Sequence, residues 1–262
     1  MQMFFRTLLT LYFSHLLTDF VLQTEHLVAQ KRRRHARAYA LHGIIHYLSA
    51  VCIVGFFVPG SMLSLRTHLV IVVLVLAHLL IDFAKIELTK RSVLADGPLP
   101  YLADQVFHFA TILVAARLLA PTPPGVIRAL LQMARNLPDK FLAVPVLYLA
   151  VVFGGGYLIR FLTTSLAEGA KNHSPEKTSE QLQNAGLYIG WLERSLVITA
   201  LLLQSPATIG LILTAKSIAR YPEFKSERFA EYFLIGTLLS IAIAVAGGAL
   251  LAKIIFGHLR FT

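Results

Sequence analysis

The sequence predicts an all-α fold, a polytopic transmembrane helix bundle of seven or eight membrane segments, on three observations. The 262 residues are 56% apolar and only 15% charged, against about 25% charged in an ordinary soluble domain. Mean hydropathy is +0.67, which leaves too little polar surface to cover a soluble globule and excludes the solvated enzyme domains of this length. Apolar runs recur along the chain at 4–22, 38–58, 68–88, 101–120, 141–162, 187–203, 208–218 and 229–255, and all but one approach the roughly 20 residues that cross a bilayer core as a helix.

The run at 4–22 could pass for a signal peptide, but it carries His15 and Asp19 in its apolar part and lacks a small-residue cleavage site, so it reads as a mature span. A loop at 23–37 follows with the basic cluster Lys31, Arg32, Arg33, Arg34 and Arg37, and three further spans complete a four-helix transmembrane region, residues 1–122. Pro121, Pro123 and Pro124 break the pattern there, and 126–136 reads as a short amphipathic interfacial segment. The fifth span, 141–162, and a polar stretch at 168–184 that reads as a cytoplasmic loop or surface helix fill a middle region, 123–184. In the C-terminal region, 185–262, the segment 208–218 is short, with Pro206 at its start and Lys216 near its end, which suits a re-entrant or tilted piece. Gly154–Gly156 and Gly247–Gly248 read as sites of close helix packing.

The net charge of +10 is explained by cytoplasmic loops that meet anionic lipid rather than by nucleic acid, which is not an expected partner. If the 31–37 cluster is cytoplasmic, alternation places fifteen of the 24 lysines and arginines on that side and eight opposite, with Arg194 inside a span. That bias predicts a multi-pass protein of the bacterial inner membrane with its N-terminus outside. Cys52 is the one cysteine, which removes a disulfide framework and a cysteine-based zinc finger.

The informative feature lies in the first four spans. Ionisable residues occur there as four i, i+4 pairs, His15/Asp19, His42/His46, His78/Asp82 and Asp104/His108, using five of the ten histidines and three of the five aspartates. At 3.6 residues per turn both members of a pair share one helix face. In antiparallel helices all four pairs fall at one depth, near the loops at 23–37 and 87–100. Interhelical hydrogen bonding is the bland explanation, with Lys85 at i+3 neutralising Asp82. The alternative is metal: His and carboxylate ligands that converge from four antiparallel helices build dinuclear sites in bundle cores, and imidazole with carboxylate favours Zn, with Mn or Fe as alternatives. Eight ligands suffice for one or two ions. Gln23, one turn beyond Asp19, is a candidate substrate contact.

At these residues the motifs "HLLTDFVLQT", "LHGIIH", "AHLLID" and "DQVFH" resemble a bacterial integral membrane family that carries a domain-of-unknown-function label and is loosely akin to membrane-bound metal-dependent hydrolases. The segments "IGWLERSLV", "AKSIAR" and "EYFLIGTLLS" are similar to a C-terminal extension of some members. The resemblance implies a metal-site membrane bundle of hydrolase type and supplies no substrate.

In the second half, Glu193 and Arg194 lie inside the sixth span, and Lys216 and Arg220 close the seventh segment. Either Glu193 and Lys216 form a structural ion pair, or Arg194, Lys216 and Arg220 cradle a phosphate. The leading functional expectation is a metal-dependent hydrolase in which metal-activated water attacks a phosphoester or ester, with a lipid or small-molecule substrate and with Asp19, Asp82 or Asp104 as base. A divalent metal (zinc) transporter and a noncatalytic sensor or scaffold with a structural metal are the alternatives. Oligomeric state is not legible in the sequence.

Overall fold

Helices account for all regular structure in the computed structural model, which describes residues 2–58, 60, 64–120, 140–171, 185–225 and 227–257. The interfacial segment expected at 126–136 and most of the polar stretch at 168–184 lie outside the described residues. Five helices are long and apolar enough to cross a membrane: Ala36–Phe57, Leu65–Lys90, Pro98–Leu119, Lys140–Thr164 and Phe229–Phe256. The chain divides into two compact units, Met1–Val146 and Leu147–Thr262.

In the first unit, α1 (Gln2–Leu17) runs directly into a π turn, Thr18–Leu22. The 23–37 segment, expected as a loop, contains a short helix, α2 (Glu25–Arg32). The reason is local: the Thr24 hydroxyl accepts from Leu27 N at 3.3 Å, Glu25 stands in the first turn, and Lys31 and Arg32 stand in the last, each complementing the helix dipole. Arg34 ends it in a left-handed conformation, φ 62°. Three long helices follow, α3 (Ala36–Phe57), α4 (Leu65–Lys90) and α5 (Pro98–Leu119), the last with Pro98 in its first turn. α1 and α4 each pack against both α3 and α5, so the four helices close a ring in the order α1, α3, α4, α5.

Along its length this bundle is half oil and half charge. Phe4, Phe5, Leu8 and Leu11 of α1 pack with Val54, Val58, Ile112, Ala115 and Ala116 at the end farthest from α2. At the other end the interior is His15, His42, His46, His78, Asp104 and His108, all buried, while Leu41, Ile44, Leu48, Leu69, Val73 and Leu76 face outward. Polar groups inside and leucines outside is the inverse of a water-soluble bundle and suits a lipid surround.

The second unit begins within a broken helix: α6 (Lys140–Leu149), a π segment (Ala150–Gly154) and α7 (Gly155–Lys171). It continues with α8 (Ala185–Leu202), α9 (Ala207–Arg220), a 3-10 turn (Tyr221–Lys225) and α10 (Glu227–Phe256). α10 packs on α7 and α8, and α9 packs on α8. Close approach depends on glycine: a Cβ at Gly247 would stand 2.3 Å from Val151 Cγ2, and one at Gly248 would stand 3.3 Å from the Ile198 Cα. The 14 residues of α9 reach about 21 Å at 1.5 Å per residue, short of a bilayer core of about 30 Å.

Candidate metal site

The four pairs meet. His15 and Asp19 come from the end of α1 and its π turn, His42 and His46 from the start of α3, His78 and Asp82 from the end of α4, and Asp104 and His108 from the start of α5. Asp19 lies within that π turn, and such turns are frequent at functional sites. His42 Nε2 stands 3.1 Å from His78 Nε2. Asp19 Oδ1 is 3.4 Å from His42 Nε2 and 3.5 Å from His78 Nε2, while Asp82 Oδ2 is 3.6 and 3.7 Å from the same two atoms. Five of the six separations among these four atoms therefore run from 3.1 to 3.7 Å. Ligand atoms of a tetrahedral ion with bonds of 2.0–2.2 Å stand about 3.3–3.6 Å apart.

A second set shares Asp82. His108 Nε2 is 3.5 Å from Asp82 Oδ1 and 3.5 Å from Asp104 Oδ1, so the two oxygens of Asp82 face different histidine sets. Asp82, Asp104 and His108 form one group with ligand spacing, and His42, His78 and Asp82 form another. His46 Nε2 lies 2.8 Å from Asp19 Oδ1, and His15 Nδ1 lies 3.5 Å from Asp19 Oδ2. His15, Asp19, His46 and His78 make a third, overlapping group. Ligand capacity is left over: His15 Nε2, His42 Nδ1, Asp104 Oδ1 and His108 Nε2 are buried without a hydrogen-bond partner. On the apolar side, Ser14, His15, His46, His78 and Thr111 help line a cavity of about 20 Å³, room for one water.

Two lysines enter the cluster, and one of them corrects the sequence reading. Lys85 pairs with Asp104 Oδ2 at 3.1 Å, not with Asp82 one turn before it on α4. Lys31, counted in the sequence with the solvated basic run, is 3% exposed and stands 2.5 Å from Asp82 Oδ2. α2 explains this, because Leu27 and Lys31 are one turn apart on its buried face; that i, i+4 relation was the signal available beforehand. Lys31 Nζ also donates to Gln23 Oε1 at 3.3 Å, which ties the expected substrate contact to the cluster through a lysine. Three carboxylates thus face two ammonium groups and five imidazoles, so the buried group carries excess negative charge when its imidazoles are neutral.

The basic residues of the second unit are engaged differently. Arg194 donates from Nε and Nη2 to the Val152 carbonyl at 3.0 and 2.8 Å and from Nη1 to Ser240 Oγ at 3.1 Å. That carbonyl lies in the π segment, where the helix ladder is interrupted. Lys216 Nζ pairs with Glu193 Oε2 at 2.7 Å. The guanidinium and the ammonium are therefore turned to separate partners, and Arg220, on α9, shares in neither contact.

Fold and cluster together define a class: an all-α protein, marked as a membrane protein by its five long apolar helices, with His and Asp gathered inside a four-helix unit. Residues 7–133 match a family model described as "Protein of unknown function (DUF3307)", a stretch that takes in all four pairs. No curated protein and no solved structure matches the chain.

Proposed function

We propose that the four-helix unit is a membrane-embedded, metal-dependent hydrolase that acts on a phosphoester or ester at the leaflet nearest α2. The observation that carries the reading is the five separations of 3.1–3.7 Å among Asp19, His42, His78 and Asp82, close to the spacing of a four-coordinate zinc shell. In this reading those four hold one ion. Asp82, Asp104 and His108 hold a second and leave it a position for water or substrate, as catalytic sites do. His46 and His15 bear on Asp19 and fix its orientation. A divalent ion supplies polarisation of a substrate oxygen and a water acidic enough to attack near neutral pH. The three aspartates hold the charge in place, and no further base is required. Zinc is the first choice, with Mn or Fe as alternatives.

The finer topology belongs to the same proposal: seven or eight membrane segments, an inner-membrane location, and the α2 end cytoplasmic with the N-terminus outside. Elemental analysis of the purified chain beside His42→Ala and His78→Ala, followed by a panel of phosphoesters and lipid esters, tests the function. Stoichiometric metal that both substitutions remove, with metal-dependent turnover, is the expected result. Metal held without hydrolysis, but with zinc flux into sealed liposomes, would replace the hydrolase by a transporter.

A further inference from the structure

The cluster is closed on one side and basic on the other. Beyond His15, His46 and His78 the cavity of about 20 Å³ admits a water and nothing larger. At the α2 end, Asp19 and Asp82 keep side-chain exposures of 13% and 14%, and this is the face through which the cluster meets its surroundings. Its rim is cationic. Asp82 and Asp104 each turn one oxygen to His108 Nε2 and the other to a lysine, Asp82 to Lys31 and Asp104 to Lys85. Gln105 Nε2 adds a donor 3.2 Å from Asp104 Oδ2. Arg32, Arg33, Arg34, Arg37, Lys90 and Arg91 are exposed on the neighbouring segments, with Arg34 and Arg91 paired to Glu87. Lysines and arginines outnumber the carboxylates Asp19, Asp82 and Glu87 at this end, a balance that gathers anions.

We infer that the substrate of this site is a phosphoryl anion that enters from the α2 end and is held between the metal and the ammonium group of Lys85. Lys85, with a side-chain exposure of 30%, has two N–H donors beyond the one it gives Asp104, and lysine meets phosphate as a point charge. The tetrahedral anion suits the place because one of its oxygens can ligate the metal while another accepts from Lys85. The inference rests on the metal reading above and narrows its substrate from esters in general to phosphoryl compounds. Two sources share this chemistry, a lipid headgroup and a soluble phosphate.

The test uses the full chain in phosphatidylcholine nanodiscs, loaded with zinc or stripped of it, and calorimetric titration with inorganic phosphate. Phosphate is expected to bind the loaded chain and not the stripped one. Compared at matched zinc occupancy, because Lys85 also contacts Asp104, Lys85→Met should weaken that binding about tenfold, the loss of one charge-assisted contact. In a parallel arm, nanodiscs carrying phosphatidic acid block the titration if the headgroup is the natural occupant and leave it unchanged if the source is soluble. Metal tightly held but no phosphate or phosphatidic acid bound overturns this inference alone, as does equal phosphate binding by stripped chain or by Lys85→Met. A wild-type chain that takes up no metal removes this inference and the metal reading together.

Discussion

Both units bury charge in an apolar surround, and they treat it in opposite ways. In the second unit every polar atom of the Arg194 guanidinium has an acceptor, Val152 O or Ser240 Oγ, and Lys216 is matched by Glu193. Helices are pinned there by these paired contacts, although Trp191 Nε1 and Glu193 Oε1 are buried without a hydrogen-bond partner. In the first unit three carboxylates and five imidazoles converge, and four ligand-type atoms among them remain without a hydrogen-bond partner. An unsatisfied polar group in hydrocarbon costs several kcal/mol, and the units differ in where such atoms lie: in the first they include imidazole nitrogens and a carboxylate oxygen gathered in one cluster with ligand spacing, in the second an indole nitrogen and one oxygen of a paired carboxylate. Intramembrane charge alone is therefore a poor guide to function; surplus ligand capacity is the better one.

Substitutions can break this contrast. The largest effect is expected from His78→Ala, because His78 faces His42, His108 and both Asp19 and Asp82. Metal affinity, read by competition with a chromogenic chelator, should fall by more than the roughly 100-fold that bounds outer-shell changes. His46→Ala, which removes a partner of Asp19 rather than a ligand, should cost about 10- to 100-fold in the same assay. If the two variants are equal, His46 is itself a ligand.

Arg194→Met sharpens the other side of the comparison. It strips the Val152 carbonyl and Ser240 of their donor, so it should lower unfolding stability by about 1–3 kcal/mol and leave metal content unchanged. Arg194→Lys should recover only part of this, since an ammonium cannot reproduce the planar guanidinium that donates twice to one carbonyl and once to Ser240. Denaturant titration in detergent with parallel metal analysis decides both, and lost metal in Arg194→Met would show that the two units are energetically linked. The smallest effect is expected from replacing the Glu193–Lys216 pair together by Leu and Met. The change should lie within about 1 kcal/mol, because removing both members leaves no lone charge behind.

The cluster was legible because convergence on one centre imposes a period on the helix. Residues that must meet one centre recur at i, i+4, and His15/Asp19 through Asp104/His108 show that spacing in plain text. The charge partners were not legible. Lys85 looks bound to Asp82 when only its own helix is considered, yet α5 brings Asp104 closer, a tertiary fact with no linear signature. Lys31 was hidden by composition, one cation in a run of four, until α2 gives it a direction. In the second unit Glu193–Lys216 could be anticipated from opposite charges in apolar segments. The partner of Arg194 could not, because it is a backbone carbonyl made available by the π segment at Ala150–Gly154, which side-chain patterning does not report.

The π turn at Thr18–Leu22 has a consequence for kinship. Such a turn accommodates one residue more than a regular helical turn, so removing Thr18 would leave Asp19 three residues after His15 in a regular helix and turn it by about 100° relative to His15. A single-codon deletion could thus silence the cluster while sparing the bundle. Among chains built on this scaffold, those that have lost Asp19's partners should show a one-position gap at 18 when laid beside this one, and those that keep the four pairs should keep the residue there.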